Sequence, residues 1–193
     1  EGGFLYQVVK NYYGRKILPN CTHKFACSED AGKWLFGSDI SDVYIVKNGI
    51  DTAKFAVADS RDRDFFTVVN VARFTKMKNH TFLIDIFKEL YDMDNSSRLL
   101  LAGTGDLQEQ IRKKVSDYGL EDAVTFLNDC NDVPSLLSKA DVFCMPSLFE
   151  GLGIVLVEAQ AVGLPCVASD TIPKETNITG NIKFVSLDKT PVE

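Results

Sequence analysis

The segment FFTVVNVARFTKMKNHTFLIDIFKELYDMDNSSRLLLA, residues 65–102, decides the fold. Residues 65–72 are an apolar run of strand length, rich in β-branched side chains. Over residues 80–91, Phe82, Leu83, Ile86, Phe87 and Leu90 recur at helical spacing, with Asn79 placed as a cap. Residues 98–102 form a second apolar run. Strand, helix and strand in this order make a parallel crossover unit.

The alternation continues towards the C-terminal end. Asp106 opens a helix, with Glu109 three residues on in the manner of a capping box. Leu107, Ile111, Val115 and Tyr118 form its inner stripe and Gly119 ends it. Residues 123–127 are a third strand, 133–139 a short helix and 141–145 a fourth strand. Residues 154–162 form a helix stopped by Gly163, and 165–169 and 182–185 are two more strands. The expected fold class is α/β, a doubly wound parallel sheet, whose ligands bind beyond the carboxyl ends of the strands.

Residues 1–45 are organised differently. Residues 24–28 and 43–46 read as short strands, residues 30–35 as a helix between them, and Asn48-Gly49 as a turn. Residues 4–13 suit an amphipathic helix carrying aromatic and basic side chains. Contact with a membrane surface and packing on a further domain are its two readings.

Composition narrows the function classes. At 193 residues, 45% hydrophobic and 25% charged, the chain is a soluble globular protein of one domain, or one domain plus a fragment. Residues 1–48 carry six Lys/Arg against five Asp/Glu, about +1, so the remainder carries about −7 and the whole chain −6. That acidic body argues against nucleic acid as a partner, while local cations and helix ends can still hold a phosphate. Five cysteines without framework spacing indicate a reducing, cytoplasmic compartment, with Cys144 and Cys166 in apolar runs as core residues. Cys21-x-His23-x3-Cys27 has metal-capable side chains but no evident fourth ligand, and Cys27 reads as part of a strand, so no metal is expected there. There is no signal-peptide pattern and no long apolar span. The chain opens at Glu1 rather than Met and ends in mid-pattern at Glu193, as a piece of something larger would.

Glu158 is the most informative polar position. It sits in Ile154-Val155-Leu156-Val157-Glu158-Ala159-Gln160-Ala161-Val162, a helix apolar nearly all round, which implies burial. A buried carboxylate needs donors or takes up a proton. A ribose offers two adjacent hydroxyls; backbone amides are the structural alternative. Glu150 lies in Pro146-Ser147-Leu148-Phe149-Glu150-Gly151-Leu152-Gly153, the loop before that helix. Its glycines allow close backbone approach, and the amides at the helix start can hold an anion. Arg73 follows the first strand directly and Lys78 comes five residues later, so both can neutralise a diphosphate; Lys76 is a second candidate for the role of Lys78, and a solvated basic turn is the plain reading. Gly103-Thr104-Gly105 lacks the third glycine of a dinucleotide fingerprint and reads as a tight turn near a ligand. His23 and His80 are lone histidines of structural type.

With these residues assembled, the chain resembles glycosyltransferase family 4, of the two-domain GT-B architecture, in its C-terminal donor-binding domain. The matching features are Val46-Lys47-Asn48-Gly49-Ile50-Asp51-Thr52, Arg73 with Lys78, the Leu101-Ala102-Gly103-Thr104-Gly105 turn, and Glu150-x7-Glu158 running on to Gly163-Leu164-Pro165. Its style is similar to bacterial exopolysaccharide or capsule enzymes. The resemblance implies residues 1–58 as the end of an N-terminal domain with its linker, and residues 59–193 as a Rossmann-like nucleotide-sugar domain. It implies a retaining transferase that uses a nucleotide-sugar, UDP by default, with no cofactor and no metal. Arg73 and Lys78 would hold the diphosphate, Glu158 the ribose and Glu150 the transferred sugar. Gly103 and Gly105 would lie beside the ligand, Leu127 and Asn128 near the base, and Gly151, Leu152, Gly153 and Ile154 against phosphate or sugar. The acceptor, a glycan or lipid-linked molecule, belongs to the N-terminal domain. That domain also carries any peripheral contact with the inner face of the membrane. Such a fragment should bind donor without efficient transfer. A nucleotide-sugar epimerase of the GT-B plan and a non-catalytic nucleotide-sugar-binding module are the alternatives.

Overall fold

The strand order of the main sheet reverses in its middle. In the computed structural model, which describes residue 12 and residues 18–56, 64–128 and 130–192, the chain divides into two compact units, residues 1–49 and 50–193. The first contains β1 (Lys24–Ala26) paired in parallel with β2 (Val43–Ile45), joined through helix α1 (Glu29–Phe36). Ser28 caps α1, its Oγ accepting from Ala31 N at 3.0 Å, and Glu29 and Asp30 complement the helix dipole. Cys27 lies just past β1 rather than in it, and Asn48-Gly49 is irregular rather than a turn. The amphipathic helix expected over residues 4–13 and the expected boundary between residues 58 and 59 both lie outside the described residues.

The second unit holds β3 (Thr67–Val71), β4 (Arg98–Ala102), β5 (Val124–Leu127), β6 (Val142–Met145), β7 (Cys166–Ser169) and β8 (Ile182–Val185) in one wholly parallel sheet, ordered β5-β4-β3-β6-β7-β8. Helices α2 (His80–Met93), α3 (Gln108–Asp117), α4 (Val133–Leu137) and α5 (Ile154–Ala161) supply the crossovers. Side-chain alternation along the strands feeds two cores. Val69, Phe143, Met145, Cys166 and Ala168 pack with Leu156 and Ala159 of α5, whereas Val68, Leu99, Leu101 and Val124 pack with Leu83, Phe87 and Ile111 of α2 and α3. This is the doubly wound α/β sheet that the alternation predicts.

Two helix starts differ from expectation. Asn79 occupies the cap position of α2 but its side chain makes no capping bond, because its backbone is left-handed (φ 54°) and reverses the chain out of the preceding 3-10 turn, Lys76–Lys78. Asp106 does not cap α3 and no capping box forms: Leu107 holds the cap position, and its amide donates to the Phe74 carbonyl at 3.1 Å. Tertiary hydrogen bonding to the neighbouring loop replaces the local cap.

That neighbour also explains the glycines. A Cβ at Gly103 (φ +136°) would lie 2.2 Å from the Ala72 carbonyl oxygen, and one at Gly105 would lie 2.5 Å from that of Phe74. The turn after β4 is pressed backbone to backbone against the loop after β3, with Phe74 N donating to Thr104 O at 3.0 Å. Gly103→Ala is expected to lower stability by about 3 kcal/mol, read as a denaturation midpoint. A loss below about 1 kcal/mol would contradict this packing.

Candidate functional site

β3 and β6 stand side by side where the strand order reverses, and their ladder is short. Only Val68↔Val142 and Val69↔Phe143 are in register. Beyond them the Asn70 side chain spans the gap, its Nδ2 donating to the Cys144 carbonyl at 2.7 Å, while its buried Oδ1 has no partner among the described residues. A crevice beyond the carboxyl ends of two such strands is the usual ligand position in an open α/β sheet. Asn70 gave no signal in the sequence, where it looked like one more residue of an apolar run.

The loops that leave these two strands meet across the crevice. Lys78 ends the 3-10 turn after β3, and its Nζ lies 2.5 Å from Glu150 Oε1 in the loop after β6. Leu148 N donates to the Met77 carbonyl at 2.8 Å and ties the same two loops through backbone. Glu150 is only 9% exposed. Its Oε1 also accepts from Ser147 Oγ at 2.8 Å, and its Oε2 has no hydrogen bond among the described residues. Ser147 was missed by the sequence reading, although Ser-x-x-Glu spacing could have pointed to it. An ammonium has three N–H donors; Lys78 uses one of them on Glu150. Lys76 is exposed and does not share that contact. Arg73 is exposed just beyond β3 and has no ion-pair partner among the described residues.

His80 is buried two residues after Lys78. Its ring stacks on Phe74 with centroids 4.2 Å apart, and neither nitrogen has a partner among the described residues. Burial first, and the Lys78 charge second, push its pKa down to about 4, so it is neutral. Burial raises the thiols of Cys144 and Cys166 to about 12, as suits core residues.

Glu158 corrects one expectation. It is half-buried rather than buried, because α5 turns Leu156, Ala159 and Gln160 to the core and leaves Glu158 at the edge. It has no hydrogen bond or ion pair among the described residues, so the backbone-amide alternative does not hold. Desolvation still raises its pKa. It lies one turn after Ile154 on the same helix face, and side chains lean towards the helix start, here the Glu150 loop. Gly153 begins α5 in a left-handed conformation (φ 71°), while Gly151, Leu152 and Ile154 are half-buried. Gly103 and Gly105 are needed by the close approach of two backbones, whatever else they touch. The half-buried Leu127 accepts Gly103 N at its carbonyl at 2.9 Å, and exposed Asn128 accepts from Gln108 Nε2 at 2.5 Å. A cavity of about 200 Å³ lined by Phe82, Ile86, Val167, Lys183, Val185 and Lys189 contains none of the candidate residues and lacks carboxylates. The crevice, with its convergent charges, is the better candidate. Among the described residues no group of three metal-capable side chains converges. No helix among them is long and apolar enough to cross a membrane.

Residues 52–186 match the family described as Glycosyl transferases group 1. The chain belongs to that family. It is 39% identical over 178 residues to "Putative glycosyltransferase EpsF" of Bacillus subtilis (strain 168), covering 86% of this chain and 46% of that protein. It is 28% identical to the Escherichia coli "UDP-Gal:alpha-D-GlcNAc-diphosphoundecaprenol alpha-1,3-galactosyltransferase", covering 83% of this chain and 44% of that one. The chain therefore spans about half the length of the curated relatives it matches. Its fold is that of GT-B glycosyltransferases. Crystal structures of WaaG (TM-score 0.79, 18% identity, 99% of this chain and 58% of that one) and of HepE from Anabaena in complex with UDP and glucose (0.76, 22%, 86% and 50%) superpose on it.

The raised pKa of Glu158 carries a sign. Between the ordinary carboxylate value of 4.5 and its raised value, the folded state holds more protons than the unfolded one, so this group's contribution to stability falls as pH rises through that window. Glu158→Gln is expected to melt at or above the wild-type temperature at neutral pH, with the difference vanishing in acid. A clear drop in melting temperature at neutral pH would make Glu158 a structural residue.

Proposed function

We propose that this chain is the donor-binding half of a retaining glycosyltransferase that takes its sugar from a UDP-sugar. The acceptor would be a glycan or a lipid-linked molecule in polysaccharide biosynthesis. The observation that carries this reading is the Lys78–Glu150 contact across the crevice. It joins a cation suited to a diphosphate with a carboxylate whose Oε2, without a hydrogen bond among the described residues, is suited to a sugar hydroxyl. Arg73, exposed at the same edge, adds the second positive charge. Glu158 has the surroundings of a carboxylate that waits for a ligand's hydroxyls.

In this reading the bond between the anomeric carbon and the β-phosphate oxygen breaks as the acceptor oxygen attacks from the same face. The acceptor's proton passes to the departing phosphate. Arg73 and Lys78 stabilise the charge that develops on the diphosphate, which is why the reaction would need no metal. Glu150 orients the sugar and Glu158 the ribose; neither is a nucleophile. The family membership and the UDP found with HepE support the reading. So does the relation to an Escherichia coli enzyme named for UDP-Gal. Because the acceptor site belongs to the other half, these 193 residues would bind donor without efficient transfer.

Calorimetry with UDP-, GDP- and ADP-sugars tests it. The expected outcome is binding of a UDP-sugar that chelators do not change. Arg73→Ala should weaken UDP about tenfold and uridine hardly at all. Equal loss for both ligands would remove the phosphate role, and no binding of any nucleotide at millimolar concentration would remove the donor site.

A further inference from the structure

The loop that carries Glu150 is not held by apolar packing. Leu148 and Phe149 are 39% and 47% exposed, so between buried Ser147 and half-buried Leu152 the shape of the loop depends on polar contacts. Besides the loop's ties to Met77 and Lys78, those contacts come from Ser169 at the end of β7 and from the segment that follows it, which the sequence reading left unused.

Ser169 Oγ lies 2.5 Å and Thr171 Oγ1 2.8 Å from the Ser147 carbonyl oxygen, and the two hydroxyls lie 2.8 Å from each other. Two hydroxyls have two protons for three contacts. Every arrangement that uses both protons within the triad gives the carbonyl at least one. At the other end, the fully buried Thr176 donates its hydroxyl to the Leu152 carbonyl at 2.6 Å. The segment that supplies these hydroxyls is itself fixed. Gln160 of α5, buried, donates to the Thr176 carbonyl at 2.9 Å and accepts from the amides of Ile178 and Thr179 at 3.0 Å each. Hydroxyls thus grip the loop just before Leu148 and just after Gly151, with Glu150 between the grips.

We propose that Thr171 and Thr176 are positioning residues, which set the Glu150 loop from its two ends and through it place the carboxylate for the donor sugar. The second half of this statement rests on the donor-site reading above. In this role neither threonine needs to touch the substrate. Each acts on a backbone carbonyl: loss of Thr176 releases the Leu152 carbonyl, and loss of Thr171 leaves the Ser147 carbonyl to Ser169 alone, so either loosens the loop and lets Glu150 move away from Lys78.

The test compares Thr171→Val and Thr176→Val, which keep shape and remove the hydroxyl, with Thr→Ser at each position, which keeps it. Amide hydrogen exchange comes first, because it needs no ligand. The Leu148 amide should exchange about tenfold faster in the valine variants, the amides of Leu99 and Phe143 should not change, and serine should restore protection. Unchanged Leu148 protection in both valine variants would overturn the grip. Titration with UDP and UDP-glucose comes second. The valine variants should lose about fivefold of any preference for UDP-glucose over UDP while binding UDP within about twofold of wild type. Equal weakening of both ligands would make the threonines merely structural and overturn the positioning role. If the wild type binds neither ligand, the donor-site reading fails while the exchange result still decides the grip. If Thr176→Val does not fold, Thr171→Val, at an exposed position, carries both measurements.

Discussion

Where β3 and β6 part company, the sheet leaves two strand ends without a neighbour to continue the ladder. The crossovers run in opposite directions from this point, so no helix fills the space between the two loops that leave it. Asn70 closes the gap at its base with one side-chain bond to Cys144 O. Above it, the two loops are tied directly by the Leu148–Met77 backbone bond and the Lys78–Glu150 contact. The crevice follows from the topology, and the charges follow from which residues the two loops happen to carry.

Several groups in this region are held at a cost to folding. Asn79 has a left-handed backbone. The Asn70 oxygen and both His80 nitrogens are buried without partners among the described residues. Glu158 is partly desolvated and accepts no hydrogen bond among the described residues. Such features gather where a protein keeps groups ready for a ligand, and the well-satisfied polar cluster around Gln160 lies behind them as support.

Most of the sheet was legible because burial on both faces leaves continuous apolar strands and amphipathic crossovers. The runs at 98–102 and 182–185 coincide with β4 and β8 as folded. The caps were less legible: Leu107 heads α3 because a tertiary bond to Phe74 outcompetes the local Asp106 signal. Lys78 and Arg73 stood out because charges beyond a strand end are conspicuous, whereas Glu150 stood out mainly through its spacing to Glu158 in the family resemblance. The contact between Lys78 and Glu150, 72 residues apart, was not legible, since spacing places both on one edge without saying which atoms meet. Ser147, Thr171 and Thr176 were harder still. Hydroxyls that serve backbone carbonyls look in sequence like ordinary loop residues.

The central claim is that these charges form one ligand site at the switch point of the sheet. The most direct measurement is a backbone amide shift map of the labelled protein titrated with UDP. The account predicts perturbations concentrated at residues 70–79 and 147–158, reaching the turn at 103–105. Shifts centred instead on Ile86, Val167, Lys183 and Lys189, around the separate apolar cavity, would contradict it.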